Sequence, residues 1–260
     1  MDWSRTKTIL ILAFLTLNLF LGYQVYLSKL QHGVESESAQ STQWEIENYL
    51  SKQNITIKMD IPQETPLLNY LYVEYVTSAT FEQEEMADQQ VVVDNTVLES
   101  RLEKPIAIRD FKSPKDVLHQ LYNTIKFADQ YKEDVNWSLS APIYWQTHDG
   151  LPMFVAPLEL HIADGFIRGY KQTYLLVKNQ GSGRKIITAY TALRSLIEKE
   201  VIKSGESIDS ISLGYYGFKY DAEIQVLAPV WRFQHGNKVE YMNGFTGTME
   251  RPLDKKGMVE

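Results

Sequence analysis

The chain contains residue types that catalyse reactions, but their spacing matches no catalytic or metal-binding motif. Its five histidines are scattered: His32, His119, His148, His161 and His235. None belongs to a His-Glu-x-x-His motif, in which two imidazoles on one helix face bind zinc. His148 and Asp149 are adjacent and resemble half of a catalytic pair, but an aspartate before a glycine is typical of a turn. The histidines therefore predict no metal site and no catalytic centre.

Other routes to enzyme chemistry are equally poorly supported. Gly181-Ser182-Gly183 lacks the strand-to-helix setting of a nucleophilic serine, and no phosphate-binding or dinucleotide-binding glycine motif occurs. Cysteine is absent, which excludes thiolate nucleophiles and disulfides. Glu159, Asp164 and Asp221 could pair as glycosidase carboxylates do, but a solvated or turn-forming role is the simpler interpretation. We expect no enzyme activity and no cofactor.

An apolar stretch from Ile9 to Leu27 is expected to determine on which side of a membrane the rest of the chain lies. As a helix it spans roughly 30 Å, which matches the hydrocarbon core of a bilayer. Arg5 and Lys7 precede it, so the positive-inside rule predicts a cytoplasmic tail at 1–8, a transmembrane helix at 9–27 and an extracellular remainder. The alternative is a secretory signal peptide, but no small-residue cleavage site follows Leu21. An uncleaved single-pass anchor in the cell membrane is therefore expected.

Four residues of this stretch predict a contact within the membrane. Phe14, Asn18, Gly22 and Val25 share one helix face. An amide without a partner is unfavourable in hydrocarbon, and glycine lets a second helix approach closely. This face therefore predicts a transmembrane interaction site, with a single tolerated polar residue as the other interpretation.

Composition indicates that the region after the anchor folds. The chain is 44% hydrophobic and 12% aromatic, enough for a sizeable core. Its net charge is −7, and it becomes −8 without residues 1–28, which contain Asp2, Arg5 and Lys7. A chain with no basic excess is a poor nucleic-acid ligand, so no nucleic-acid partner is expected.

The exterior is predicted to be α+β, with two repeated units of a helix followed by an antiparallel meander. The predicted boundaries are a flexible stalk at 28–43, a first unit at 44–180, a second unit at 181–250 and a C-terminal tail at 251–260. Helices are predicted at 44–53 and 191–203. A further helix is predicted to begin at Ser113, and its buried apolar stripe continues to Ala128. Predicted strands cover 55–59, 67–76, 89–93, 96–102, 143–146, 154–163, 166–177, 210–215, 223–233 and 238–245.

Turns and a short internal similarity support this order of elements. Asp149-Gly150 and Asp164-Gly165 predict tight hairpins, while the acidic tract 82–88 predicts a solvated loop. Val155-Ala156-Pro157-Leu158 and Leu227-Ala228-Pro229-Val230 precede corresponding turns in the two halves. Proline removes a ladder donor, so Pro157 and Pro229 are expected at strand edges or bulges.

The chain resembles the YycI (WalI) family of regulatory proteins. The resemblance lies in Met1-Asp2-Trp3-Ser4-Arg5-Thr6-Lys7, in the anchor that contains Asn18, and in the strand-rich exterior ending in Ala228-Pro229-Val230-Trp231. It implies an exterior similar to the C-terminal part of YycH. It also implies a regulator that forms a complex with YycH and the sensor histidine kinase YycG (WalK) in the membrane. The family has no catalytic residues to transfer.

Two other functions remain open at this stage. One is a membrane-anchored cell-wall enzyme with unrecognised acidic residues. The other is a binding module for wall peptides or glycans that uses an exposed sheet edge.

Overall fold

The structure is a computed structural model that describes residues 3–32, 35–77, 89–94, 96–108, 113–136, 138, 142–220 and 222–250. The chain divides into two compact units, Met1–Tyr49 and Leu50–Glu260. The predicted acidic loop 82–88 and the predicted tail 251–260 lie outside the described residues.

The N-terminal region is helical. Helix α1 covers Trp3–His32, and helix α2 covers Glu35–Lys52. The described residues of the predicted stalk at 28–43 belong to these two helices, and Ser, Ala, Gln and Glu are all compatible with a helix. A flexible stalk at 28–43 stays a prediction. No helix among the described residues combines the length and hydropathy needed to cross a membrane, so the transmembrane segment predicted at 9–27 is not confirmed.

The second unit is mostly β-structure. The strands of the described chain are β1 (Thr56–Ile57), β2 (Leu67–Leu68), β3 (Leu71–Tyr75), β4 (Gln89–Asp94), β5 (Val97–Ala107), β6 (Tyr131–Glu133), β7 (Ile143–His148), β8 (Leu151–Ala163), β9 (Phe166–Gln172), β10 (Leu175–Gln180), β11 (Arg184–Lys185), β12 (Ser207–Tyr216), β13 (Ile224–His235), β14 (Lys238–Asn243) and β15 (Met249–Glu250). Mixed α+β architecture is thus confirmed.

One branched sheet organises this unit. Its main path runs β10-β3-β13-β12-β8-β9-β5-β4. Strand β14 lies beside β13, β15 beside β14, β7 beside β8 and β6 beside β7, while β1 pairs in parallel with β12. Strands β2 and β11 form a separate ladder.

The predicted hairpins are confirmed by both pairing and backbone conformation. Strands β7 and β8 meet at Asp149-Gly150, and β8 and β9 meet at Asp164-Gly165. All four turn residues have positive φ, between 49° and 82°. Two successive residues of positive φ are the requirement of a type I′ turn, which aspartate and glycine adopt readily.

Two short helices lie where helices were predicted but end early, and the predicted N-cap is confirmed for the first of them. Helix α3 covers Pro114–Gln120, with the Ser113 hydroxyl accepting from the Asp116 N–H. Helix α4 covers Ala189–Glu198 and is capped by Thr188. The predicted extension of α4 to 203 is wrong, and Val201 follows the helix, with its N–H donating to the Leu196 carbonyl.

Helix α3 and the turns after it cover one part of the sheet. Val117, Leu118, Leu121 and Ile125 are buried in a cluster with side chains of β5, β7, β8 and β9. The stripe predicted from the helical period therefore reaches the core, although its second half belongs to turns. A second cluster joins side chains of β3, β8, β12 and β13.

The predicted repeat of two units is not confirmed. Strands from the two predicted halves pair directly, β3 with β13 and β8 with β12. A local similarity nevertheless exists around the two prolines. Pro157 immediately precedes Leu158, at which β8 begins to pair with β9. Pro229 immediately precedes Val230, at which β13 begins to pair with β14.

Candidate functional site

A groove of about 380 Å³ lies over strands β6, β7, β8, β12 and β13. Its lining is mainly apolar, with a few polar side chains at its base. The lining residues are Pro62, Glu64, Pro66, Lys132, Glu133, Asp134, Val135, Trp145, Thr147, Gly150, Leu151, Pro152, Phe154, Ser212, Leu213, Trp231 and Arg232. A concave apolar surface with a few converging polar groups is the usual form of a small-ligand site.

A buried ion pair forms the base of the groove. Arg232 Nη1 lies 3.0 Å from Asp134 Oδ2, and the two side chains are 8% and 7% exposed. The Trp145 indole N–H donates to the same carboxylate oxygen. The guanidinium carbon is 5.2 Å from the Phe154 ring centre and 5.9 Å from that of Trp145. Burial of both charges is tolerable here because each is paired and contacted by polarisable rings.

Strand alternation places the arginine on this side of the sheet. Arg232 is paired with Ser212 of β12 and with Tyr241 of β14, so these three residues share one face. Trp231 points to the other face, where its indole N–H donates to the Ile187 carbonyl just before α4. Burial raises the pKa of the Tyr241 phenol, and the Arg232 guanidinium opposes that rise.

Asn136 holds the segment that carries Asp134 against the sheet. Its amide nitrogen donates to Ser210 Oγ at 2.7 Å and to Gln234 Oε1 at 2.6 Å. Its backbone N–H donates to Asp134 Oδ1 at 2.8 Å, which closes a local Asx turn. The position of the Asp134 carboxylate is therefore fixed by contacts with both β12 and β13.

Two residues that line the groove each contain a buried polar atom that is unsatisfied. Within the part of the chain that the structure describes, Arg232 Nε and Ser212 Oγ are buried without a hydrogen-bond partner. Native proteins satisfy most buried polar atoms, so two such atoms on neighbouring strands of one groove are unusual.

The residues considered for catalysis do not form a centre. The His148 Nε2–Asp149 Oδ2 distance is 3.5 Å, but Asp149 forms the β7–β8 turn, as predicted. Asp164 forms the β8–β9 turn and pairs with Arg168 of β9, Glu159 is exposed on β8, and Asp221 lies outside the described residues. Gly181-Ser182-Gly183 is a loop, and no cluster of potential metal ligands occurs among the residues described.

The residues predicted to act within the membrane lie on α1. The Phe14 side chain is 64% exposed, Asn18 is exposed, and a Cβ on Gly22 would meet nothing within 4 Å. Val25 is helical, but its side chain lies outside the described part. Whether this face contacts another helix stays a prediction.

The residues of the groove were not predicted from the sequence. Asp134 and Arg232 are far apart along the chain and belong to no motif. One signal was present: Arg232 is a single charge inside the apolar run Val230-Trp231-Arg232-Phe233 of a strand. A charge in such a run is expected to be buried and paired.

A family model described as YycI protein matches residues 34–245, which is most of the chain. The chain belongs to the YycI family. The resemblance found in the sequence is thereby confirmed. YycI membership indicates a regulator of the YycFG two-component system, and the family is regulatory and non-catalytic.

Two solved structures are similar to this chain at low identity. One is an uncharacterised protein from Eubacterium rectale, with a TM-score of 0.43 and 10% identity over 85% of this chain and 83% of that one. The other is the C-terminal domain of YpeB from Bacillus megaterium, with a TM-score of 0.34 and 12% identity over 84% and 96% of the two chains. No curated protein matches this chain.

Proposed function

We propose that this protein is a membrane-anchored regulator that modulates the YycG sensor kinase by forming a complex with the kinase and with YycH. The match of the YycI family model to residues 34–245 carries this proposal. The anchor is supported by the apolar residues 9–27 after Arg5 and Lys7, which favour a cytoplasmic N-terminus and an extracellular C-terminal region.

The physical basis that we propose is a shift between two states of the kinase. A helix that packs more favourably on one state of a transmembrane bundle stabilises that state by the difference in its binding free energy. Phe14, Asn18, Gly22 and Val25 fall within about 80° of the circumference of α1, which is narrow enough to form one contact surface. The exterior unit would modulate this interaction.

Replacement of residues 9–27 by an unrelated apolar anchor of equal length tests the proposal. We expect the exchanged protein to remain in the membrane fraction, to recover less YycG and YycH on co-purification, and to change the output of the kinase. Unchanged recovery and unchanged output would overturn the role of this helix.

A single substitution gives a sharper form of the test. Asn18→Leu removes an amide from the proposed contact face, and an interhelical hydrogen bond is worth about 0.6 kcal/mol on average, or roughly threefold in affinity. Thr16→Leu is the matched control. Thr16 lies on the opposite face, and its hydroxyl already donates within the helix to the Leu12 and Ala13 carbonyls at 3.0 and 2.9 Å. We expect weaker co-purification with Asn18→Leu alone.

A further inference from the structure

A second cavity, of about 440 Å³, lies where strands β5 and β9 separate. The register of the two strands explains the opening. Arg101 of β5 pairs with Gly169 of β9, and the next registered pair is Ile106 with Ile167. Four residues of β5 therefore stand against the single residue Arg168 of β9, so β5 has to bulge away from its partner.

Three side chains with N–H donors surround this opening. Arg101, Gly169 and His161 lie directly opposite one another on β5, β9 and β8. Directly opposite residues point to the same face, so Arg101 and His161 flank the glycine. Position 169 has to stay without a side chain, because a Cβ there would overlap the Ser100 carbonyl oxygen. Arg101, His161 and the adjacent Arg168 all line the cavity and are all exposed, so a ligand from solvent can reach them.

The charges of the lining favour an anion. Its charged residues are Arg101 and Arg168 against Glu99, and Glu99 already pairs with Lys171 at 3.3 Å. Arg168 Nη2 lies 2.9 Å from Asp164 Oδ2, but both side chains are exposed, and such pairs contribute little. Among the described residues, Arg101 has no ion-pair partner. An anion in the cavity therefore meets a cation that no described carboxylate neutralises.

The number of donor side chains selects the kind of anion. A phosphate monoester presents three terminal oxygens, whereas a carboxylate and a phosphodiester each present two. The planar fork of a guanidinium matches phosphate geometry, and an imidazole has an N–H donor in either protonation state. Three donor side chains around one opening therefore match the monoester. Leu102 and Pro105 also line the cavity and offer contact to the carbon atoms of its substituent.

We propose that the cavity between β5 and β9 binds the terminal phosphate group of a phosphate monoester. Arg101, Arg168 and His161 each donate to a different terminal oxygen, and the substituent lies against Leu102 and Pro105. This site adds a ligand to the second unit. It goes beyond the proposed regulatory function, because it requires neither the anchor nor contact with the kinase.

The test is calorimetric titration of the purified full-length protein with inorganic phosphate at constant ionic strength. We expect saturable binding that Arg101→Gln and Arg168→Gln each weaken about tenfold, the equivalent of one hydrogen bond to a charged group. Both arginines are exposed, so both variants should fold. Arg194→Gln is the matched control, because it removes the same charge from an exposed arginine of α4 outside the lining. It should bind phosphate as the parent does.

Three further probes identify the anion and its source. Dimethyl phosphate and acetate each offer two oxygens and should bind more weakly than inorganic phosphate. Dihexanoyl phosphatidic acid is a soluble lipid with a monoester headgroup. Binding of this lipid that is tighter than that of phosphate, and is weakened by Arg101→Gln, would support a lipid headgroup as the ligand. Equal or weaker binding would support a soluble phosphate ester.

Four outcomes would each overturn the proposal. They are no saturable binding of phosphate, equal binding by the parent and Arg101→Gln, an equal loss in Arg194→Gln, and acetate binding as tight as that of phosphate. The anchor exchange can fail without affecting any of these measurements.

Discussion

Arg232 shows how one residue can define a site that no local motif predicts. Its charge is buried on a central strand and is compensated by Asp134, by two aromatic rings and by Gln234, whose Oε1 lies 3.4 Å from Nη2. None of these contacts satisfies Nε. The residue is therefore electrostatically neutralised, and its Nε–H is buried without a hydrogen-bond partner among the described residues.

Removal of Asp134 tests the energetic importance of this pair. Asp134→Ala leaves the Arg232 charge buried and takes an acceptor from the Trp145 indole, so we expect a loss of about 3–5 kcal/mol in the free energy of unfolding. Glu198→Ala is the control, because Arg194 and Glu198 form an exposed pair on α4, worth about 0.3–0.5 kcal/mol. Urea unfolding of both variants measures the difference. Equal losses would mean that water reaches and solvates Arg232.

At the level of elements, local signals predicted what local interactions determine. The Ser113 cap and the two Asp-Gly turns depend on residues within a few positions of each other, and the structure confirms them. The end of α4 was predicted wrongly because the apolar period continues to Val201, whereas Glu200 adopts positive φ and ends the helical path. The single strand predicted at 166–177 is interrupted between β9 and β10, and β10 then pairs with β3.

The packing of β8 against β12 depends on a glycine. A Cβ on Gly214 would lie 2.5 Å from the Pro152 carbonyl oxygen and 2.6 Å from Phe154 Cε2. Gly214→Ala must therefore separate the two strands near their Tyr215–Met153 bridge. We expect a loss of about 1–3 kcal/mol in unfolding free energy, the usual cost of overpacking.

Gly181→Ala is the matched control for Gly214→Ala. Its added Cβ would meet Tyr70 atoms at 3.6–3.7 Å, which is ordinary contact, so its effect on unfolding free energy should stay within about 0.5 kcal/mol. Thermal or urea unfolding compares the two. A Gly214→Ala protein as stable as Gly181→Ala would show that β8 and β12 can separate without cost.

At the scale of the whole molecule, strand pairing between distant segments was beyond the reach of the sequence. The α+β class follows from periodicity, but nothing in residues 71–75 indicates pairing with 224–227. The groove could not be predicted from the sequence for the same reason, because its base combines the segment after β6 with the distant strands β12 and β13. Long-range pairing depends on the summed burial of many side chains, whereas a sequence pattern reports one segment at a time.

Pairing across the predicted boundary near residue 180 determines how the second unit should unfold. Because β3 pairs with β13 and β12 contacts β8, neither predicted half can open without exposing the core of the other. We expect one cooperative transition for residues 50–250, with equal calorimetric and van't Hoff enthalpies. Calorimetry of the full chain gives both enthalpies. The near-ultraviolet signal of Trp145 or Trp231, one from each predicted half, is the difference between the parent and a variant that lacks that tryptophan, and its midpoint is compared with the calorimetric one. Separate midpoints for the two tryptophans would instead support two independent units at 44–180 and 181–250.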